Sequence, residues 1–256
     1  METNKKILIS AKNLRKEFGT GETKQKIYEN LSLDIYKGDF TVVMGASGAG
    51  KSTLMYSLSG MDRPTAGNIT FLDREITKYN DDELAVFRRQ NCGFVFQQIY
   101  LLEKMSLMDN VLTAGALVNN NKKQVISRAK ELFELVNIPA ITQKKFSSQV
   151  SGGEAQRAGI VRAVINHPAV VFADEPTGAL NRTASNEVME ELVKLNKEGT
   201  TIMMVTHDAK VAAKCSRVLY IVDGNIKGEY ISPDTMELQE KDRERMLNNW
   251  LLELGW

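Results

Sequence analysis

The chain has 256 residues, enough for one large domain or two small ones with a sizeable core. Its 33 Lys and Arg balance 32 Asp and Glu, a net charge of +1 that gives no general reason to expect nucleic acid. The apolar runs, such as 169–173 and 202–205, fall far short of the ~18 residues needed to span a bilayer, and the first ten residues lack a signal-peptide core.

A cytosolic protein is therefore expected, and Cys92 and Cys215 read as two ordinary reduced thiols. In chain order, residues 6–14 and 27–35 are predicted strands. Leu31, Leu33 and Ile35 alternate there with Ser32 and Asp34. Residues 19–23 between them form a turn-rich loop. Phe18, just before it, is either a core residue or a ring that stacks on a nucleotide base.

Residues 40–44 are an apolar strand leading into Gly45-Ala46-Ser47-Gly48-Ala49-Gly50-Lys51-Ser52. Gly, four residues, Gly-Lys and then Ser or Thr is the phosphate-binding loop pattern. Its glycines allow turns that a side chain would block, so that backbone N–H groups converge on phosphate oxygens. Lys51 is assigned to the β- and γ-phosphates and the Ser52 hydroxyl to Mg²⁺. Leu54 and Leu58 then mark a helix, whose positive end would face the phosphate. The nucleotide-binding set in this loop runs through Gly45, Ala46, Ser47, Gly48, Ala49, Gly50, Lys51, Ser52 and Thr53.

A turn cluster at 60–67 precedes a short strand at 68–72 and a charged amphipathic helix at 81–89. Residues 93–96 are a buried-strand candidate ending at Gln97, which either positions a ligand or is a surface amide. From about 101 to 166 strand signals vanish. Residues 107–118, 122–136 and 154–165 have helical spacing, as a helical insertion would. Ser151-Gly152-Gly153-Glu154 opens the third of these helices with a capping-box pattern. Its two glycines cost about 1 kcal/mol each against Ala, and approach of a ligand phosphate to bare N–H groups would compensate.

Residues 169–173 form a strand buried on both faces that ends in Asp174-Glu175-Pro176. Two carboxylates at such an end need partners. Asp174 is assigned to the Mg²⁺ shell and Glu175 to polarising a water toward the γ-phosphate; the plainer reading is an acidic turn before Pro176. The strand at 200–206 ends in His207, either a structural histidine or, at this strand end, a γ-phosphate contact, whereas His167 is left unassigned. Residues 217–222 and 224–230 make a hairpin with Asp223-Gly224 in the turn. The tail from 232 is expected to stand apart. Residues 237–245 read as a solvated helix, and Leu247, Trp250, Leu251 and Leu254 fall on one face that docks on the body or on a partner.

These stretches, in this order, resemble the ATP-binding subunit of ABC transporters over residues 7–228. The resemblance implies an α/β fold: a P-loop NTPase (RecA-like) core with an antiparallel β subdomain and an inserted α-helical subdomain. The ATPase domain would span 1–228 (core 1–96 and 163–228, helical subdomain about 97–162), with a tail at 229–256. Phe18 matches the aromatic A-loop residue. Gln97 matches the Q-loop glutamine, which senses the γ-phosphate and Mg²⁺. Val150 to Glu154 match the signature, with Ser151, Gly152, Gly153 and Glu154 contacting nucleotide. Val170–Asp174 matches Walker B, Glu175 the catalytic glutamate and His207 the switch histidine. Catalytic roles then fall to Glu175, His207, Lys51 and Gln97, and metal binding to Ser52, Gln97 and Asp174.

ATP and Mg²⁺ are the implied cofactors. A head-to-tail homodimer and a separately encoded permease are the implied partners, with the subunit on the inner face of the membrane. The wording of residues 172–180 and the tail resemble bacitracin-type antimicrobial-peptide resistance ATPases, within the branch that also holds lipoprotein-release, macrolide-export and cell-division members. The alternative is an ATP-gated regulatory module that moves no solute. A DNA-maintenance ATPase would carry inserted coiled coils or zinc modules, which the sequence lacks. Two departures stand out: Asn181 where the D-loop ends in Asp, and Val150 and Glu154 where Leu and Gln are usual.

Overall fold

The computed structural model describes residues 5–19, 21–233 and 239–256. In chain order its elements are β1 (Ile7–Phe18), β2 (Gln25–Tyr36), β3 (Phe40–Met44), α1 (Lys51–Leu58), β4 (Ala66–Phe71), β5 (Arg74–Glu75), α2 (Asp81–Asn91) and β6 (Cys92–Phe96). There follow α3 (Leu107–Ala116), α4 (Lys122–Leu135), α5 (Ala140–Gln143), α6 (Gly152–Val164), β7 (Val170–Asp174) and α7 (Arg182–Lys197). The last are β8 (Thr201–Val205), α8 (Ala209–Ala212), β9 (Arg217–Val222), β10 (Asn225–Ile231) and α9 (Glu240–Glu253). The chain divides into two compact units, residues 1–85 with 201–256, and residues 86–200.

In the first unit, β2, β1, β4 and β5 form an antiparallel sheet in that order. Ile9, Ala11 and Leu14 of β1 point into the core. The strand runs to Phe18 rather than stopping near residue 14, because it bulges past the charged run. Asn13 has φ 52°, and the β1–β2 register shifts between Ala11 and Leu14 and again before Lys16. The second sheet of this unit holds β3 parallel to both β8 and β9, with β10 antiparallel to β9. All residues of β3 and β8 are buried, as near-continuous apolar runs in parallel strands should be. Arg217 joins the two sheets: its guanidinium donates to the Asp34 carbonyl at 2.6 Å and to Glu229 at 2.7 Å.

Helix α9 packs on β9 and β10. Leu247 and Leu251 are fully buried. The Trp250 ring lies 6.5 Å from Tyr220 and 5.4 Å from Tyr230, and Leu254 and Trp250 approach Gly228 closely. The apolar face of the tail is therefore covered within the same unit. Residues 237 and 238 of the predicted solvated helix lie outside the described residues.

In the second unit, β6 and β7 pair in parallel and α3, α4, α6 and α7 surround a helical core that includes Val111, Leu132, Phe133, Val161, Val188 and Leu192. Helix α7 was absent from the predicted elements, although at 16 residues it is the longest helix described. Its apolar stripe, Val188, Met189, Leu192 and Leu195, begins only at its seventh residue.

Candidate nucleotide site

Strand β3 pairs with β9 as far as Met44, opposite Tyr220, and the loop begins at the next residue. A Cβ on Gly45 would lie 2.3 Å from the Ile221 carbonyl oxygen, so only glycine lets the chain turn there. Ala46, Ser47 and Gly48 are exposed and Ala49 is buried. Gly50 caps α1 in the left-handed region, φ 90°, with Ile27 of β2 against it, and as glycine it brings no side-chain cap. The N-terminus of a helix is its positive end, and here the loop leads directly into it.

Lys51 is 8% exposed, and its ammonium donates to the carbonyls of Gly45 at 2.9 Å and Ala46 at 2.8 Å. A buried cation held inside a ring of backbone, beside the positive end of a helix, fits a polyphosphate. Ser52 and Thr53 are half-buried on the first turn of the helix.

Two more predicted residues belong to this unit. Val43 pairs with Val205 and the Thr206 amide donates to the Val43 carbonyl at 3.3 Å, so His207 leaves β8 at the end where β3 enters the loop. His207 is exposed, and Asp208 after it caps α8. Phe18 is 46% exposed, which excludes the core reading. It sits at the end of β1, two residues beyond the Lys16–Tyr28 pair and opposite Gln25 of β2, the strand whose Ile27 packs against Gly50.

The second unit holds the remaining candidates. Phe96 of β6 pairs with Asp174 of β7, so Gln97 and the Asp174-Glu175 pair emerge at one end of two parallel strands. Both carboxylates are half-buried. Glu175 has φ 45°, a left-handed conformation that costs a β-carbon-bearing residue about 1–3 kcal/mol and persists only where the surroundings impose it. The turn closes with the Gly178 amide donating to the Glu175 carbonyl at 3.0 Å. Gln97 is exposed, yet a Cβ on Gly178 would come within 2.9 Å of its side-chain nitrogen, so the amide lies against the acidic turn. The Gln156 side chain donates to the Phe96 carbonyl at 3.0 Å and ties this strand end to α6.

Helix α6 begins at Gly152 with the predicted capping box complete. The Glu154 amide donates to the Ser151 hydroxyl oxygen at 3.2 Å, and the Ser151 amide donates to the Glu154 carboxylate at 2.8 Å. The Ser151 amide holds the Glu154 carboxyl below its ordinary range, assisted by the Ser151 hydroxyl, Lys145 and Arg157. The predicted need for a phosphate to offset both glycines changes here. A Cβ on Gly153 would lie 3.0 Å from the Ala184 Cβ, so close packing on α7 already accounts for that glycine.

Asn181 caps α7 through the Ala184 amide at 3.0 Å, the service an Asp would also perform. Between the two helix starts is a cleft of about 310 Å³ lined by Ser151, Gly152, Gly153, Leu180, Asn181 and Glu187, among others. Arg157 pairs with Glu187 on its flank. Thr183 and Glu187 were not among the predicted site residues. Helical spacing from the Asn181 cap places Ala184 and Glu187 on the α6 side, and that spacing was the available signal.

Residues 28–178 match the family described as ABC transporter. The chain is 37% identical over 220 residues to the bacitracin export ATP-binding protein BceA of Halalkalibacterium halodurans, covering 86% of this chain and 87% of that one. It is 41% identical over 219 residues to the macrolide export ATP-binding/permease protein MacB of Neisseria meningitidis, of whose length it spans 34%. Among solved structures, the post-hydrolysis dimer of the ATP-binding cassette MJ0796 bound to ADP and Pi has a TM-score of 0.79 at 32% identity, over 88% of this chain and 99% of that one. Among the described residues, no helix is long and apolar enough to cross a membrane.

Proposed function

We infer that this chain, which belongs to the ABC transporter family and is an ATP-binding, ATP-hydrolysing subunit of it, drives export of, or resistance to, an antimicrobial peptide through a separate permease. The geometric observation that carries the reading is the buried Lys51 ammonium inside a glycine loop, at the start of a helix without a side-chain cap. Likeness to a bacitracin export protein over most of both chains supports the choice of cargo.

In this reading Lys51 and the backbone of residues 45–53 hold the phosphates, and Phe18 stacks on the base. Ser52, Asp174 and Gln97 supply the hydroxyl, carboxylate and amide oxygens that suit Mg²⁺, which when bound offsets charge on the phosphates. Glu175 accepts the proton of the attacking water and His207 contacts the γ-phosphate. Each chain carries one phosphate loop and one Ser151-Gly152-Gly153-Glu154 stretch. Pairing the loop of one copy with the α6 start of another calls for a head-to-tail homodimer, and the dimeric MJ0796 cassette supports that arrangement. The subunit would lie at the cytoplasmic face of the membrane, held there by the permease.

The test is affinity capture of a Glu175→Gln variant from detergent-solubilised membranes with ATP present. A co-purifying multi-span permease with a large extracellular domain is the expected result. A small four-span division or cell-wall protein in its place would overturn the peptide-export assignment.

A further inference from the structure

We propose that Lys16 is a positioning residue for nucleotide recognition, fixing the Phe18 ring so that one face is covered by its ammonium and the other is offered to the base. The inference rests on the reading of Phe18 as the base-stacking residue.

The Lys16 ammonium lies 4.7 Å from the centroid of the Phe18 ring, within the range of a cation–π contact. Lys16 itself is only 7% exposed, in a strand segment flanked by the charged Arg15 and Glu17. A lysine this buried needs polar partners. It has two: the Asp62 carboxylate at 2.6 Å and the Arg63 carbonyl at 2.7 Å. Both belong to the turn that follows α1, and the Asp62 amide donates to the Tyr56 carbonyl of that helix at 3.1 Å.

The chain of contacts thus runs from the ring, through the ammonium, to the end of the helix whose other end is Lys51. That helix has 8 residues, so at 1.5 Å per residue the strut is referenced to the phosphate loop across about 12 Å of rigid backbone. A nucleotide must be met at both its base and its phosphates. Phe18 is half-exposed and would otherwise have to be ordered on binding, which costs affinity. Lys16 removes that cost in advance and leaves a single ring face for stacking. Because every base has a π-face, the effect should not depend on which purine is bound.

The experiment is calorimetric titration of ATP, GTP and inorganic tripolyphosphate, each with Mg²⁺, into the wild type, Lys16→Met, Phe18→Ala, the double variant and Asp62→Asn. Phe18→Ala should weaken ATP and GTP by about tenfold and leave tripolyphosphate unchanged. Lys16→Met should weaken ATP and GTP by about two- to fivefold, leave tripolyphosphate unchanged, and add nothing in the Phe18→Ala background. Asp62→Asn should reproduce the pattern at smaller size, and it decides the matter if Lys16→Met does not fold.

No loss of ATP affinity in Phe18→Ala would overturn the stacking reading and this proposal with it. A selective loss in Phe18→Ala would uphold stacking. If Lys16→Met and Asp62→Asn then leave ATP affinity unchanged, or weaken all three ligands equally, the proposal alone fails and Lys16 is a structural strut.

Discussion

Helix α1 follows a glycine loop and has a glycine at its cap position, whereas α6 starts with two glycines and is closed by its own Ser151 and Glu154. In α1, Gly50 takes a left-handed conformation, and the charge near the helix start is the Lys51 ammonium. Backbone donors and a cation are gathered there with no anion supplied by the loop itself. In α6 the charge at the helix start is a carboxylate, and Gly153 is small because Ala184 lies against it. Glycine at a helix start therefore carries two meanings. A glycine-capped start with a buried lysine suits a phosphate; a start closed by its own side chains can serve helix packing as well as any ligand that reaches it.

The largest effect that sharpens this contrast is at Lys51. Lys51→Ala removes a charged donor, and ATP affinity should fall about ten- to hundredfold, as read by calorimetric titration. Gly153→Val should act on stability. Its side chain would press on α7, and overpacking should cost about 1–3 kcal/mol of stability in denaturant titrations.

Ser151→Ala should cost about 1 kcal/mol through loss of the cap. The Glu154 half of that box depends on pH. Its carboxyl is held below the ordinary value of 4.5, so its stabilisation is complete above that value and is lost as pH falls through the lower folded-state value. The stability gap between wild type and Glu154→Ala should be constant near neutrality and shrink under acid. A gap that grows as pH falls would contradict the assigned bonding. Asn181→Asp should change stability by less than about 0.5 kcal/mol, since both side chains cap α7 equally.

The first helix and its loop were legible because several signals coincide: an apolar strand, three glycines at fixed spacing and an apolar helical stripe. Helix α7 was not, since its stripe is confined to Val188–Leu195 and its first turns are polar; only the Asn181 cap marks its start. The reach of β1 to Phe18 was hidden because a bulge at Asn13 breaks the alternation that signals a strand. The apolar face of α9 was readable from Leu247, Trp250, Leu251 and Leu254, but its covering surface, Tyr220 and Tyr230, emerges only from the fold. Gln97 stands out in the sequence by its place at a strand end. Its contact with the acidic turn, and the left-handed backbone of Glu175, are tertiary facts with no local signature.

Sedimentation velocity of the Glu175→Gln variant, with saturating ATP and Mg²⁺ and again with ADP, tests the central claim most directly. The expected result is a dimer with ATP and a monomer with ADP, because each copy would supply the phosphate loop for one nucleotide and the α6 start for the other. A monomer under both conditions, with ATP demonstrably bound, would contradict it.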